Sequence, residues 1–126
     1  MNMNELTTSV RHKEDGVGII DVSGVLTSQA EEKLMAAYNE AVDEQNPIVI
    51  FNFTDMDYIN SSGIGLLITM LIRAKRQGHK LVACGLKDHF RQIFQLTRLD
   101  EAMPVYLSED EAYSALVKES ATTPKG

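Results

Sequence analysis

The alternation of apolar and polar positions divides the chain into short elements. Residues 6–13 and 17–22 are rich in β-branched side chains and flank Glu14-Asp15-Gly16, whose Asp-Gly pair signals a hairpin. Ser28 with Glu31 three positions on fits a capping box. Ala30, Leu34, Ala37, Tyr38 and Ala41 then recur on one helical face, which predicts an amphipathic helix to about Glu44. After Pro47, the run Ile48-Val49-Ile50-Phe51-Asn52-Phe53 is too apolar for a half-exposed strand and suits the buried centre of a parallel sheet. A second helix is expected to open near Ser61-Ser62, with Ile64, Leu67, Ile68 and Leu71 against the sheet. It should close at Gly78 after Arg73, Lys75 and Arg76, where cations complement the helix dipole and glycine supplies a left-handed cap. Residues 80–84 read as a strand, and Asp88 as the cap of a helix carrying Phe90, Ile93, Phe94 and Thr97 on one face. Residues 105–107 read as a short strand, and Ser108 with Glu111 as a second capping box ahead of Ala112, Ala115 and Leu116.

The predicted order, β-β-α-β-α-β-α-β-α, implies an α/β fold. It has a mostly parallel central sheet with right-handed crossovers, an antiparallel edge strand and about four packing helices. With 126 residues there is room for one domain, expected over 1–119, with 120–126 as a disordered tail. Twelve basic against eighteen acidic residues give a net charge of −6, which works against a nonspecific embrace of nucleic acid or an anionic membrane and favours a small or protein partner. Cys84 is the lone cysteine and the first ten residues lack a basic-then-apolar leader, so a reducing, cytoplasmic location is expected. The longest nearly apolar stretch, 63–72, falls short of the roughly 20 residues that span a bilayer, so no membrane insertion is expected.

In open α/β sheets, ligands and partners meet the carboxyl ends of the strands. The segment 55–65, Asp-Met-Asp-Tyr-Ile-Asn-Ser-Ser-Gly-Ile-Gly, leaves the most buried strand and enters the most apolar helix. It carries two adjacent hydroxyls, two glycines and two carboxylates. One hydroxyl suffices to cap the helix, a role assigned here to Ser62, which leaves Ser61 directed at solvent beside backbone N–H groups. A nucleophile elbow is excluded, because Ile59 or Asn60 stands where glycine is needed and none of His12, His79 and His89 has a recognisable base role. A dinucleotide fingerprint fails at Ile68, and a P-loop fails for want of Gly-Lys-Ser or Gly-Lys-Thr. Asp21 has no acidic neighbour of the kind a phosphoaspartate site needs. The histidines and Cys84 show no metal-ligand spacing, and Asp55 and Asp57 read more simply as turn carboxylates than as a magnesium site. Arg73, Lys75, Arg76, His79 and Lys80 form a basic cluster that reads either as a solvated helix end or as a patch for an acidic protein.

The string 56–65, Met-Asp-Tyr-Ile-Asn-Ser-Ser-Gly-Ile-Gly, resembles the signature of the STAS domain of bacterial anti-sigma factor antagonists. The likeness extends over the whole chain, from the β-β-α opening through Gly24-Val25-Leu26 to Ala83-Cys84-Gly85-Leu86 and the helix carrying Phe90 and Phe94. The family pattern is Asp-Ser-(Ser or Thr)-Gly-(Leu or Ile)-Gly. Here Asn60 stands where Asp is usual, and Thr27 stands where many members have a partner-contacting Asp. The resemblance implies a STAS-like fold and no enzymatic activity or cofactor of its own. It implies a protein that binds an anti-sigma factor, itself a serine kinase, and releases it once Ser61 (alternatively Ser62) is phosphorylated, with a serine phosphatase as a further partner. The partner face would comprise Gly24, Thr27, Ser28, Asp57, Asn60, Ser61, Ser62 and Gly63. The rival readings are a non-switching STAS subunit of a membrane transporter or stressosome-like assembly, favoured by Asn60 and Thr27, and a small nucleotide-binding protein or enzyme.

Overall fold

A computed structural model describes residues 5–122, with side chains to residue 118. The chain runs β1 (Thr7–Lys13), β2 (Val17–Leu26), a 3₁₀ turn (Ser28–Ala30), α1 (Glu31–Ala41), β3 (Ile48–Ile59) and α2 (Ser61–Arg76). It continues through β4 (Lys80–Cys84), α3 (Asp88–Leu96), α4 (Leu99–Ala102), β5 (Val105–Tyr106) and α5 (Glu109–Thr122). The sheet order is β1-β2-β3-β4-β5, antiparallel only between β1 and β2 and parallel elsewhere. The expected α/β architecture with an antiparallel edge and a central apolar strand is therefore present.

Burial on both faces explains why β3 reads as an unbroken apolar run. Val49, Phe51 and Phe53 point into the core under α1, α2 and α3, together with Leu34, Tyr38, Leu67, Met70, Phe90 and Phe94. Ile50 points the other way, joining Val17, Ile19, Val82 and Cys84 beneath Ala112 and Leu116 of α5. Asp15 and Gly16, both with positive φ, close the β1–β2 hairpin, as the Asp-Gly pair predicts.

Several helix boundaries and caps differ from expectation. The first helix ends at Ala41 rather than Glu44, because Asp43 Oδ1 accepts the backbone N–H groups of Gln45 and Asn46 at 2.8 and 2.7 Å and turns the chain. The start is corrected too: the side chain of Thr27, not Ser28, accepts the Gln29 N–H, and a 3₁₀ turn precedes α1. Asp88 is not a cap but lies in the first turn of α3, after Lys87. The single turn α4, which buries Leu99, is a short addition to the about four packing helices expected, making five among the described residues. The second capping box is half realised, with the Glu111 N–H donating to Ser108 Oγ at 3.1 Å. Helix α5 runs through Thr122, three residues into the stretch expected as a tail, and 123–126 lie outside the described residues.

Candidate functional site

Both elements that frame the Ser61-Ser62 pair extend further than their patterns suggest. Strand β2 continues to Leu26 and β3 to Ile59, pairing Ser23 with Asp55, Gly24 with Met56, Val25 with Tyr58 and Leu26 with Ile59. Residues 54–59 are therefore strand rather than loop. Two register shifts, between Asp21 and Ser23 and between Gly24 and Val25, break the two-residue alternation that would have revealed this. Met56 and Ile59 anchor the extension in the core, while Asp55, Asp57 and Tyr58 face outward. The chain then enters α2 with no intervening loop. The Asn60 N–H donates to the Leu26 carbonyl at 3.3 Å, and Gly63 packs so closely on the same carbonyl that a Cβ there would collide with it. These contacts bring the Gly24–Ser28 segment against the start of α2.

The cap of α2 is Asn60, not Ser61 or Ser62. Asn60 has extended backbone angles and its Oδ1 accepts the Gly63 N–H at 2.9 Å, the geometry of an N-cap side chain bonding the third helical residue. Both serines are exposed, and neither hydroxyl bonds another described residue. They lie in the first turn of a sixteen-residue helix whose free N–H groups and dipole favour negative charge. The phase of α2 also differs from expectation. Leu66, Leu67, Met70 and Ala74 are buried, Ile64 and Leu71 are half-buried, and Ile68 is exposed. A helix apolar on nearly every side gives periodicity nothing to phase on, and here the Gly63 contact with β2 sets the rotation.

Of the residues expected on the partner face, Ser28, Asp57, Ser61 and Ser62 are exposed, and Thr27 and Asn60 are half-buried. Gly24 and Gly63 are buried. Asp57 faces Lys87, whose Nζ lies 4.0 Å from Asp57 Oδ1 and donates to the Met56 carbonyl at 3.1 Å. That lysine, brought in by the start of α3, has no signal in the sequence. A second feature missed by local reading is an exposed stripe at helical spacing, Ser61, Gly65, Ile68 and Ile72, flanked by Tyr58. Ile68 and Ile72 expose 41% and 51% of their surface and Tyr58 52%, and no charged residue occurs between Asp57 and Arg73.

Ionisable groups cluster elsewhere. Arg11 holds Asp21 through Nε and Nη2 at 2.6 and 2.7 Å and Glu109 through Nη2 at 2.7 Å, and these bonds depress both carboxyls below their ordinary values. Burial pushes the Cys84 thiol up to about 12. His79 Nδ1 sits 2.7 Å from the Tyr38 hydroxyl, and His89 packs on the Phe90 ring. Among the described residues, no three His, Cys, Asp or Glu side chains gather as a metal site would require, and no helix is long and apolar enough to cross a membrane.

Comparison with known proteins bears on this geometry. The STAS domain family model matches residues 9–112. BtrV of Bordetella bronchiseptica, named as a candidate anti-sigma factor antagonist, is 30% identical over 103 residues, covering 82% of this chain and 89% of its own. The solved structure of an anti-sigma factor antagonist from Mycobacterium paratuberculosis superposes with a TM-score of 0.74 at 21% identity, covering 90% of this chain and 96% of that one. The anti-sigma factor antagonist SpoIIAA in its unphosphorylated form gives 0.70 at 20% identity, covering 89% and 97%. The Bacillus cell fate determinant SpoIIAA in the phosphorylated form gives 0.62 at 21% identity, covering 87% and 99%.

Proposed function

Since the chain belongs to the STAS domain family, we propose that it is an anti-sigma factor antagonist: it binds an anti-sigma factor that is also a serine kinase, and phosphorylation of Ser61 releases that partner. The observation that carries this reading is the unpaired, exposed Ser61 hydroxyl at the head of a face without charge from Tyr58 to Ile72. A neutral hydroxyl can lie inside a neutral interface. A phosphate there adds about −1.5 to −2 charges, which the helix N-terminus tolerates but an apolar or acidic partner surface repels. The domain need not refold, because the cap that fixes the start of α2 belongs to Asn60. An amide in place of the family's usual carboxylate keeps that cap and leaves one negative charge fewer beside the modified serine. Asp57, Thr27 and Ser28 are assigned to the same partner face, a reading supported by the Leu26 carbonyl contacts with Asn60 and Gly63 that hold the end of β2 against the start of α2. The chain is a substrate in this chemistry, with ATP and magnesium brought by the kinase and a serine phosphatase restoring the hydroxyl.

Mass spectrometry of the chain isolated from its own cell, with its co-purifying partner, tests the assignment together with three variants. Ser61→Ala should bind the partner as the parent does and take up no label from the kinase and ATP. Ser61→Asp should bind at least about tenfold more weakly, a loss near 1.4 kcal/mol. Ser62→Ala should remain labelled. Labelling of Ser61→Ala but not of Ser62→Ala, or undiminished binding by Ser61→Asp, would overturn the proposal.

A further inference from the structure

A groove of about 650 Å³ opens between α2, from its midpoint at Ile68 onward, and the α4 turn. Its walls are Ile68 and Ile72 on one side and Leu99, Ala102 and Pro104 on the other, with Leu81 at its base. The rim is basic: Lys75, Lys80 and Arg98 border it together with His79, whose Nδ1 is engaged by the Tyr38 hydroxyl, and Glu101 is the one acidic residue among its lining side chains. Lys75 and Arg98 are exposed and make no ion pair among the described residues. These cations stand in a chain whose net charge is −6; Arg73 and Arg76 of the same helix line a separate hollow with Thr69 and Gln77. Arg98 also adopts a left-handed backbone, φ 61°, which a glycine would adopt at no steric cost. A guanidinium is thus held at the rim where backbone conformation alone would favour another residue.

From this combination we propose that the groove between α2 and α4 is a docking site for an acidic amphipathic helix of a protein partner, with apolar side chains seated between Ile72 and Ala102 and carboxylates paired to Lys75 and Arg98. The apolar walls separate this occupant from a nucleic acid. No Phe, Tyr or Trp lines the groove to stack a base, and overall charge opposes a phosphate backbone. A helix laid in such a groove buries one apolar stripe and leaves its charged flanks at the rim, which matches the arrangement here. The inference goes beyond the switch at Ser61. The two surfaces share Ile68 and Ile72, but one is headed by the uncharged Ser61 hydroxyl and the other is bordered by the cations Lys75 and Arg98.

The test uses the full chain and a synthetic helical peptide of about 15 residues, four helical turns, with Leu at heptad spacing and Glu elsewhere. Fluorescence anisotropy should show saturable binding that weakens with added salt, as screened charge pairs do. Amide resonances of Ile72, Leu81 and Ala102 should shift on titration. The double variant Lys75→Glu/Arg98→Glu should bind at least about tenfold more weakly. Arg98→Gly should also bind more weakly while its melting temperature does not fall, a split that a purely structural role for Arg98 does not produce. The proposal is overturned by absence of binding at millimolar peptide, by shifts confined to other surfaces, or by equal binding of a peptide with Lys in place of Glu. Displacement of the peptide by duplex DNA or by phosphatidylglycerol vesicles at lower concentration also overturns it. None of these readouts involves phosphorylation, so failure here and failure of the Ser61 switch are separable.

Discussion

At the scale of single residues, Asn60 and Ser61 divide two tasks that the sequence assigns to a pair of serines. Ser, Asn and Asp are nearly equivalent as helix caps, so three adjacent candidates could not be ranked from residue type alone. The choice falls to Asn60 because its backbone is extended after β3 and Gly63, three positions on, offers its N–H. Asn60→Ala should therefore cost about 1 kcal/mol in denaturant unfolding, while Ser61→Ala and Ser62→Ala should stay within about 0.5 kcal/mol of the parent. A loss confined to Ser62→Ala would restore the cap to the serine. Cys84 offers a second prediction at this scale. Its thiol is fully buried and pushed up to about 12, first by desolvation and then by the nearby Glu109 and Asp21 carboxylates. The thiolate is the reactive form, so the native protein should not react with Ellman's reagent at about pH 8 and should react fully once denatured.

At the scale of elements, α2 shows what hydrophobic periodicity can and cannot specify. The helix and its ends are legible: Gly78 has the expected positive φ just beyond the Arg73, Lys75 and Arg76 turn. Its rotation is not, because Ile64, Leu66, Leu67, Ile68, Met70, Leu71 and Ile72 leave little polar face to set the phase. Tertiary contact sets it instead, through Gly63 beneath the Leu26 carbonyl. The two glycines of the site segment thus have opposite responses to a methyl group. Gly63→Ala drives a Cβ into backbone and should destabilise by about 1–3 kcal/mol. At Gly65 nothing lies within 4 Å of an added Cβ, so Gly65→Ala should stabilise by up to about 1 kcal/mol through helix propensity. Thermal midpoints of the two variants check both signs. Because Gly65 lies on the uncharged stripe, its methyl should also weaken partner binding despite the more stable fold.

At the scale of the whole molecule, the antiparallel edge strand and the burial of β3 on both faces follow from composition and alternation. The length of β2 and β3 does not, because the register shifts near Asp21, Ser23 and Gly24 hide the alternation from a local reading. Nor does any local pattern announce that Arg11 on the edge strand meets Glu109 at the start of α5, 98 positions away. This cluster ties the first strand to the last helix across the sheet, with Asn52 Nδ2 donating to Asp21 at 2.8 Å and Lys13 Nζ 3.5 Å from Glu109. Asp21 and Glu109 are both depressed, mainly by their hydrogen bonds to Arg11. A carboxyl with a lowered native pKa contributes stability above its unfolded value, near 3.9 for Asp and 4.3 for Glu, and loses that contribution as pH falls through the native value. The cluster is partly exposed, with 43% of the Arg11 side chain accessible, so screening limits its worth to about 1 kcal/mol at neutral pH. Arg11→Met should therefore be about 1 kcal/mol less stable than the parent at pH 7, and the gap should close as both proteins are titrated from about pH 5 toward pH 2. Denaturant midpoints across that range decide the matter. A gap that persists unchanged at low pH would mean that Arg11 acts through the packing of its aliphatic stem on the edge strand rather than through charge.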